Sequence, residues 1–377
     1  MATAVVVGAG IGGLSAAIGL RRRGWEVTVL ERAGRIAPVG AGITLLANGM
    51  RGLDALGVGA AVRAEGQIEA SGGLRTPDGR WLSQIDGADL ARVLGTSAVG
   101  IHRATLHKVL LDALPEGTVV TGAEVHDVVA GPRPRVDGRE ADLVVAADGI
   151  DSVVRRRLWP NVPSPAYAGT TAWRGVTAEP WHGPLVVAIT WGPGAEFGMV
   201  PLGDGRVYWF GGVTAPRDTR YDDELAEVRA RFGDWHDPIP ALMAATDTVR
   251  RDDLRYLRTP VPSYVRGGVA LLGDAAHAMT PNLGQGANQA IEDAVVLTAY
   301  CDPAGDLGAG LAAYDNQRRP RSQEVARAAY QMGRFGQQLH NPVAVALRNA
   351  VIRLTPPKAG LRSMTRFASW TPPTLGR

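Results

Sequence analysis

The chain alternates short apolar runs with stretches of helical period, and glycines mark the joints between them. Residues 3–7 form an apolar run of the length of a buried parallel strand. A helix follows over residues 14–23, Gly24 stops it, and residues 26–30 form a second run. Residues 141–147 repeat the strand pattern and end at Asp148-Gly149, with Arg155, Arg156 and Arg157 on a short helix beyond. Residues 269–272 repeat it again and stop at Gly273-Asp274. A loop rich in Gly, Pro and Asn leads to Gly284-Gln285-Gly286. That triplet opens a long helix with apolar residues at Ala287, Ala290, Ile291, Ala294, Val295 and Leu297. Strands and helices in this alternation predict an α/β fold with a parallel sheet.

Elsewhere the period changes. Residues 49–56 predict a helix, and residues 72–85 a hairpin around Pro77-Asp78-Gly79. A helix is expected to begin at Ile101, with Leu106, Val109, Leu110 and Leu114 on one face. From 166 to 214, four strand-like runs (169–178, 185–191, 197–202, 206–213) are separated by Gly and Pro turns, an antiparallel pattern. Trp173, Trp191, Phe197, Tyr208, Trp209 and Phe210 lie in it, so one face should pack on the body and the other line a ligand space. Residues 222–232 and 240–245 predict helices, and 252–258 a strand returning to the first domain. Residues 307–319 and 321–338 predict two helices, with Pro320 as a break or kink. Residues 341–354 predict a basic amphipathic helix lying on the body rather than on a membrane, and no element is assigned to the tail from Pro356.

Composition narrows the class. With 377 residues, 45% hydrophobic and 20% charged, the chain suits two domains or one large interleaved unit. A net charge of +3 argues against nucleic acid as a partner. Cys301 is the only cysteine, which excludes an intrachain disulfide and a cysteine-based metal site and fits a cytoplasmic location. No metal is expected. No apolar run reaches about 18 residues, so no membrane span is expected. The apolar N-terminus lacks the charged segment of a signal peptide.

The most legible chemistry is N-terminal. Gly8, Gly10 and Gly13 take the first, third and sixth places of GAGIGG between a strand and a helix, and Glu31 closes the next strand. This is a dinucleotide fingerprint in its full context. Gly8 permits the tight turn, Gly10 admits a pyrophosphate to the backbone, Gly13 lets the helix pack on the strand, and Glu31 accepts from ribose hydroxyls. The helix start at Gly284 leaves bare N–H groups that suit phosphate oxygens or negative charge developing on a ring. Asp274 is placed to accept from a ribitol or ribose hydroxyl. An ordinary helix cap explains any one of these motifs but not all together. The glycines at 40 and 42 read equally as backbone passing a flat ligand or as a surface loop. Arg103 reads as a phosphate partner or as a surface residue.

Three motifs in order, GAGIGG at 8–13 with Glu31, the DG pair at 148–149 and GDAAHAMTPNLGQG at 273–286, resemble those of the class A flavoprotein monooxygenases. This is the group of p-hydroxybenzoate, salicylate and urate hydroxylases, and the resemblance runs to about residue 335. It implies a Rossmann-like FAD-binding domain, an inserted antiparallel-sheet substrate domain and C-terminal helices. The FAD-binding domain would comprise 1–70, 97–160 and 266–310, the substrate sheet 71–96 and 161–265, and the C-terminal region 311–377. It implies FAD as cofactor, NADPH or NADH as co-substrate, and O2 with an aromatic or alkene-bearing molecule as substrates. The implied reaction is hydroxylation of an aromatic or polycyclic molecule through a flavin hydroperoxide. Epoxidation, or oxidase or reductase chemistry on the same fold, is the alternative. The contrasting readings are an NAD-dependent dehydrogenase, which leaves the DG and GD–GQG motifs unexplained, and a non-catalytic FAD-binding partner. Monomer and homodimer both stay open.

Carried over residue by residue, the resemblance implies that Gly8, Gly10, Ile11, Gly12 and Gly13 cradle the pyrophosphate. Glu31 would hold the adenosine ribose with Arg32 beside it, Gly42 and Ile43 would pass near the isoalloxazine, and Arg103 and Val125 would contact FAD. Asp148 is linked to FAD and nicotinamide binding, and Asp274 to the ribitol. Gly284, Gln285, Gly286 and Ala287 would serve the pyrimidine edge of the flavin, with Pro281 near its oxygen-reacting carbon. Tyr208 matches the active-site tyrosine of the urate hydroxylases. Arg174 would anchor an acidic substrate or pair structurally, and His277 would be catalytic or hydrogen-bonded scaffolding. The urate enzymes place an arginine just before the strand of Phe197, where this chain has Glu196, which argues against urate.

Overall fold

The computed structural model describes residues 1–35, 41–68, 71–356 and 365–375. Gly40 and positions 357–364 of the tail lie outside the described residues.

Ala4 to Val7 are buried, as an apolar run sandwiched between helices must be. Thr3–Val7 pairs in parallel with Glu26–Glu31 on one side and with Leu143–Ala146 on the other. Val269–Leu271 extends the sheet beyond Leu143–Ala146, Val119–Thr121 beyond Glu26–Glu31, and the short Val265–Arg266 closes one edge antiparallel. Strand order therefore reverses beside the Gly8 turn, which is where open α/β sheets bind ligands. Ile11–Arg22 and Gly286–Tyr300 pack closely above it. A Cβ added at Gly12 would lie 3.2 Å from that of Ala290, and one at Gly19 2.0 Å from the Thr298 hydroxyl.

A seven-stranded sheet carries the aromatic run. Its order is 249–256, 166–176, 207–214, 195–201, 188–192, 71–75, 81–86. Val249–Tyr256 is thus an edge partner of Ala166–Val176, not a return to the parallel sheet. The predicted hairpin forms and joins the far edge through parallel pairing of Leu74 with Ile189. On one face Trp173, Phe197, Met199 and Trp209 meet Phe232, Ile239, Leu242 and Met243 in a second core, with Phe197 stacked on Trp209 at 5.3 Å. The other face carries Val200 and Tyr208, packed with Ala41 and Val176.

Two further expectations change. Val99–His102 is a strand, paired antiparallel with Gly42–Leu45, and the helix starts only at Arg103. Leu307–Phe335 is one helix of 29 residues. Pro320 removes one N–H donor from it. Tyr314, Arg318, Ser322 and Val325 are buried on either side of that point and tie both halves to the body.

Candidate active site

Two helix starts open onto the same crevice. Gly10 is the N-cap of Ile11–Arg22 and Gln285 that of Gly286–Tyr300, and neither start has a side-chain cap. Their first N–H groups therefore need acceptors from outside the helix. A Cβ added at Gly10, Gly284 or Gly286 would meet nothing within 4 Å, so the backbone there is open to a ligand. At Gly13 it would stand 2.0 Å from the Gly8 carbonyl oxygen, and at Gly8, where φ is +100°, 2.5 Å from that of Ala147. Gly12 makes room for Leu272, which gives it a packing role beside its motif position. Ile11 is buried and Ala287 half-buried at the two starts.

Acids surround the opening. Asp148 accepts from the Val154 N–H at 3.2 Å through one carboxylate oxygen, while its other oxygen is buried with no partner. Glu31 accepts from the Ala9 and Ala33 N–H groups, both at 2.9 Å. Arg32 is exposed beside it. Asp274 is exposed at the first position of the short helix Asp274–His277. Arg155, 2% exposed, links the loops that follow two neighbouring strands: it donates to the Ala275 carbonyl at 2.9 Å and to that of Ile150 at 2.5 Å. Sequence reasoning passed over it, since nothing local separates it from Arg156 and Arg157. Val125 is buried and lines, with Glu124, His126, Val153, Arg156 and Arg157, a cleft of about 490 Å³. Open glycine backbone, uncapped helix starts and an orphaned buried carboxylate oxygen fit a cofactor rich in phosphate and hydroxyl groups.

His277 is buried. Its side chain is 1% exposed, and Nε2 lies 2.6 Å from Asp293 Oδ2. Asp293 also accepts from Arg318 at 2.7 Å and from the Gly273 N–H at 2.9 Å. Arg318 reaches Glu292 at 2.5 Å, and Glu292 also takes Arg321 and Asn48, both at 2.7 Å. The Gln285 side chain enters the same network, accepting from Asn48 at 2.9 Å and from Gln289 at 3.0 Å. Burial works to raise the Asp293 carboxyl, but the charges of His277 and Arg318 outweigh it and hold Asp293 below the usual range. His277 thus pairs with Asp293 out of solvent, the arrangement of hydrogen-bonded scaffolding, and the Gln285 side chain is engaged in the network, which leaves the backbone of that helix start as its source of donors.

Strand register sets which side chains of the antiparallel sheet stand together. Trp191, Glu196, Gly212, Phe210, Arg174 and Tyr208 are cross-strand partners or alternate neighbours, so they share one side of the sheet. At one end Gly42 presses on Tyr208, where an added Cβ would stand 2.4 Å from the tyrosine Cβ. The absent side chain at Gly42 thus makes room for the tyrosine. Ile43 beside it is half-buried. Burial pushes the Tyr208 phenol up, and Arg174, within hydrogen-bonding reach, acts against that shift. Arg174 pairs with Asp252 at 3.2 Å. Arg103 is exposed at its helix start, and its charge bears on Tyr208.

At the other end stands Glu196, 6% exposed. It accepts from Trp191 Nε1 at 3.2 Å and from Asn282 Nδ2 at 3.4 Å. Burial pushes its carboxyl up to about 7, with the Trp191 N–H the one group acting against it. Asn282 belongs to the single turn Pro281–Leu283 that leads into Gly284, with Pro281 exposed at its head. Tyr208 and Gly212 are about 13 Å apart along their strand at the rise of an extended chain, with Phe210 between them on the same side. The sequence offered one signal for this site, an acid set among the apolar residues of a strand.

The sequence matches the FAD binding domain family over residues 1–329. It is 39% identical to the aurachin C monooxygenase/isomerase of Stigmatella aurantiaca, over 93% of this chain and 94% of that protein. It is 33% identical to the 2-heptyl-3-hydroxy-4(1H)-quinolone synthase of Pseudomonas aeruginosa, over 94% of each. The solved structure of Klebsiella pneumoniae HpxO complexed with FAD and uric acid matches with a TM-score of 0.90 at 29% identity, covering 97% of this chain and 96% of that one.

Proposed function

Because the chain belongs to the class A flavoprotein monooxygenases of the FAD binding domain family, we propose that it hydroxylates an uncharged aromatic heterocycle of the 4(1H)-quinolone kind. It is an oxidoreductase that works with FAD, NAD(P)H and O2. One observation carries the substrate class: the buried Glu196 carboxyl, which no cation compensates among the described residues. Such a group accepts a hydrogen bond from a ring N–H or O–H and disfavours an anionic substrate. The Pseudomonas relative, named for a hydroxylated 4(1H)-quinolone, supports the same class.

FAD, when bound, supplies the electron transfer from NAD(P)H and the activation of O2. The chain does the rest. The N–H groups at Gly10 and Gly286 hold the anionic and polar edges of the cofactor, and Asp148 and Asp274 accept from its hydroxyls. Glu196 orients the substrate ring and shares its ring proton, which raises electron density at the carbon to be hydroxylated. Tyr208, kept protonated by burial, donates to the substrate oxygen at the other end.

FAD-loaded enzyme should consume NAD(P)H faster with a 4(1H)-quinolone than without it, and the product should gain one oxygen by mass. Stimulation by salicylate but not by any 4(1H)-quinolone would remove the substrate reading and leave the enzyme class standing.

A further inference from the structure

The helix Pro342–Leu354 is built inside out. Asn341 caps it by accepting from the Val343 and Ala344 N–H groups. The one side chain it buries is an arginine: Arg348, 2% exposed, donates to the Gly336 carbonyl at 2.6 Å and lies over the Trp191 ring at 5.3 Å. Val343, Leu347, Val351 and Leu354 are meanwhile 77%, 65%, 51% and 82% exposed. Their spacing places them on one outward stripe, with Ala346 and Ala350 exposed beside them. A helix lying on a globular body shows the opposite arrangement, apolar inward and polar outward. The helix thus rests on the body through Arg348 and against Trp81–Asp86, and leaves its apolar stripe uncovered.

Charge follows the same segment. No acidic residue lies after Glu324, while eight basic residues do, which gives +8 there and −5 for the remainder of a chain whose net charge is +3. Arg334 and Arg353 are exposed, as is Phe335, at 47%, where the preceding helix ends.

We propose that Pro342–Leu354 docks in the headgroup layer of an anionic lipid bilayer, with the Val343–Leu347–Val351–Leu354 stripe at the acyl boundary and Arg334 and Arg353 on lipid phosphates. Apolar and basic groups on one surface are the pairing that such lipid satisfies. A second copy of the chain is a poorer occupant, because a two-fold contact would bring two +8 segments together. At 13 residues the helix is too short to span a bilayer, so docking is superficial. Arg348 anchors it against Trp191, the neighbour of Glu196, so a lipid-dissolved substrate would meet the enzyme at the edge of the substrate face. That consequence rests on the proposed function; the docking does not.

The test is sedimentation of the full-length FAD-loaded enzyme with phosphatidylcholine vesicles, with and without about three parts in ten of phosphatidylglycerol. Binding is expected on the anionic vesicles and should fall as salt rises. The double variant Leu347→Ser/Leu354→Ser should lose about tenfold or more in partition. Its flavin spectrum, thermal midpoint and NAD(P)H oxidation should match the wild type. Arg353→Glu should weaken binding to the anionic vesicles alone. Absence of vesicle binding, or equal binding by wild type and the double variant, overturns the proposal. So does a concentration-dependent dimer that the double variant abolishes, which would assign the stripe to a second copy.

Discussion

Glu196 concentrates the residue-scale consequences. Its carboxyl is raised from an ordinary 4.5 to about 7 by burial. If it shares the substrate proton, kcat/KM should rise with pH through about 7 and flatten above it, and Glu196→Gln should erase that rise. A profile unchanged in the variant would exclude the role. The same shift makes a stability prediction. Between 4.5 and 7 the native state holds a proton that the unfolded chain has released, so the stability present below 4.5 is lost as pH climbs through 7. The loss is on the order of 3 kcal/mol. Thermal unfolding of Glu196→Gln should match the wild type near pH 4 and exceed it near pH 8; equal midpoints at the higher pH would contradict the buried acid. In the sequence Glu196 registers as an acid among apolar strand residues and as a departure from the urate hydroxylase pattern. Its burial depends on Gly212 across the strand and on Asn282, which is 86 residues away. Local pattern carries no such information.

Among elements, the two helix starts were the most legible, because a strand, a glycine turn and a helix are all specified within a few residues. The structure divides the glycines by task, and substitution should expose the division. Gly13→Ala puts a Cβ 2.0 Å from the Gly8 carbonyl oxygen and should destabilise the apo-protein by at least about 3 kcal/mol, read by denaturant unfolding. Gly10→Val has open space and should leave apo stability near that of the wild type, yet weaken FAD binding by about tenfold or more in a fluorescence titration. Equal effects of the two on stability would refute the assignment. Two elements were less legible. Val99–His102 is four residues long and runs straight into a helix, so helical period masks it. The continuity of Leu307–Phe335 past Pro320 comes from tertiary anchors that outweigh one missing hydrogen bond.

At the scale of the molecule, the parallel sheet and the aromatic antiparallel sheet both followed from apolar period, whereas the buried network that ties Leu307–Phe335 to Gly286–Tyr300 did not. Arg318 holds Glu292 and Asp293 from a separate helix, 26 and 25 residues away, and all three are essentially sealed from water. Arg318→Met leaves two buried carboxylates with only Arg321 and His277 as ionisable partners and should cost about 3 kcal/mol in global unfolding. A loss below about 1 kcal/mol would mean that the network is wetter than its burial indicates. The helix carrying Arg318 also reaches the surroundings of Glu196: Gly333 abuts Asn282, and Gly336, just past its end, abuts Trp191. Arg318 and Gly333 are about 22 Å apart along the axis. The helix is consequently a spacer with a phase as well as a length. One inserted residue between those points would rotate everything beyond by about 100° and swing a bulky side chain toward the Asn282 amide. Natural length variation in this chain should therefore collect in its loops and spare that interval.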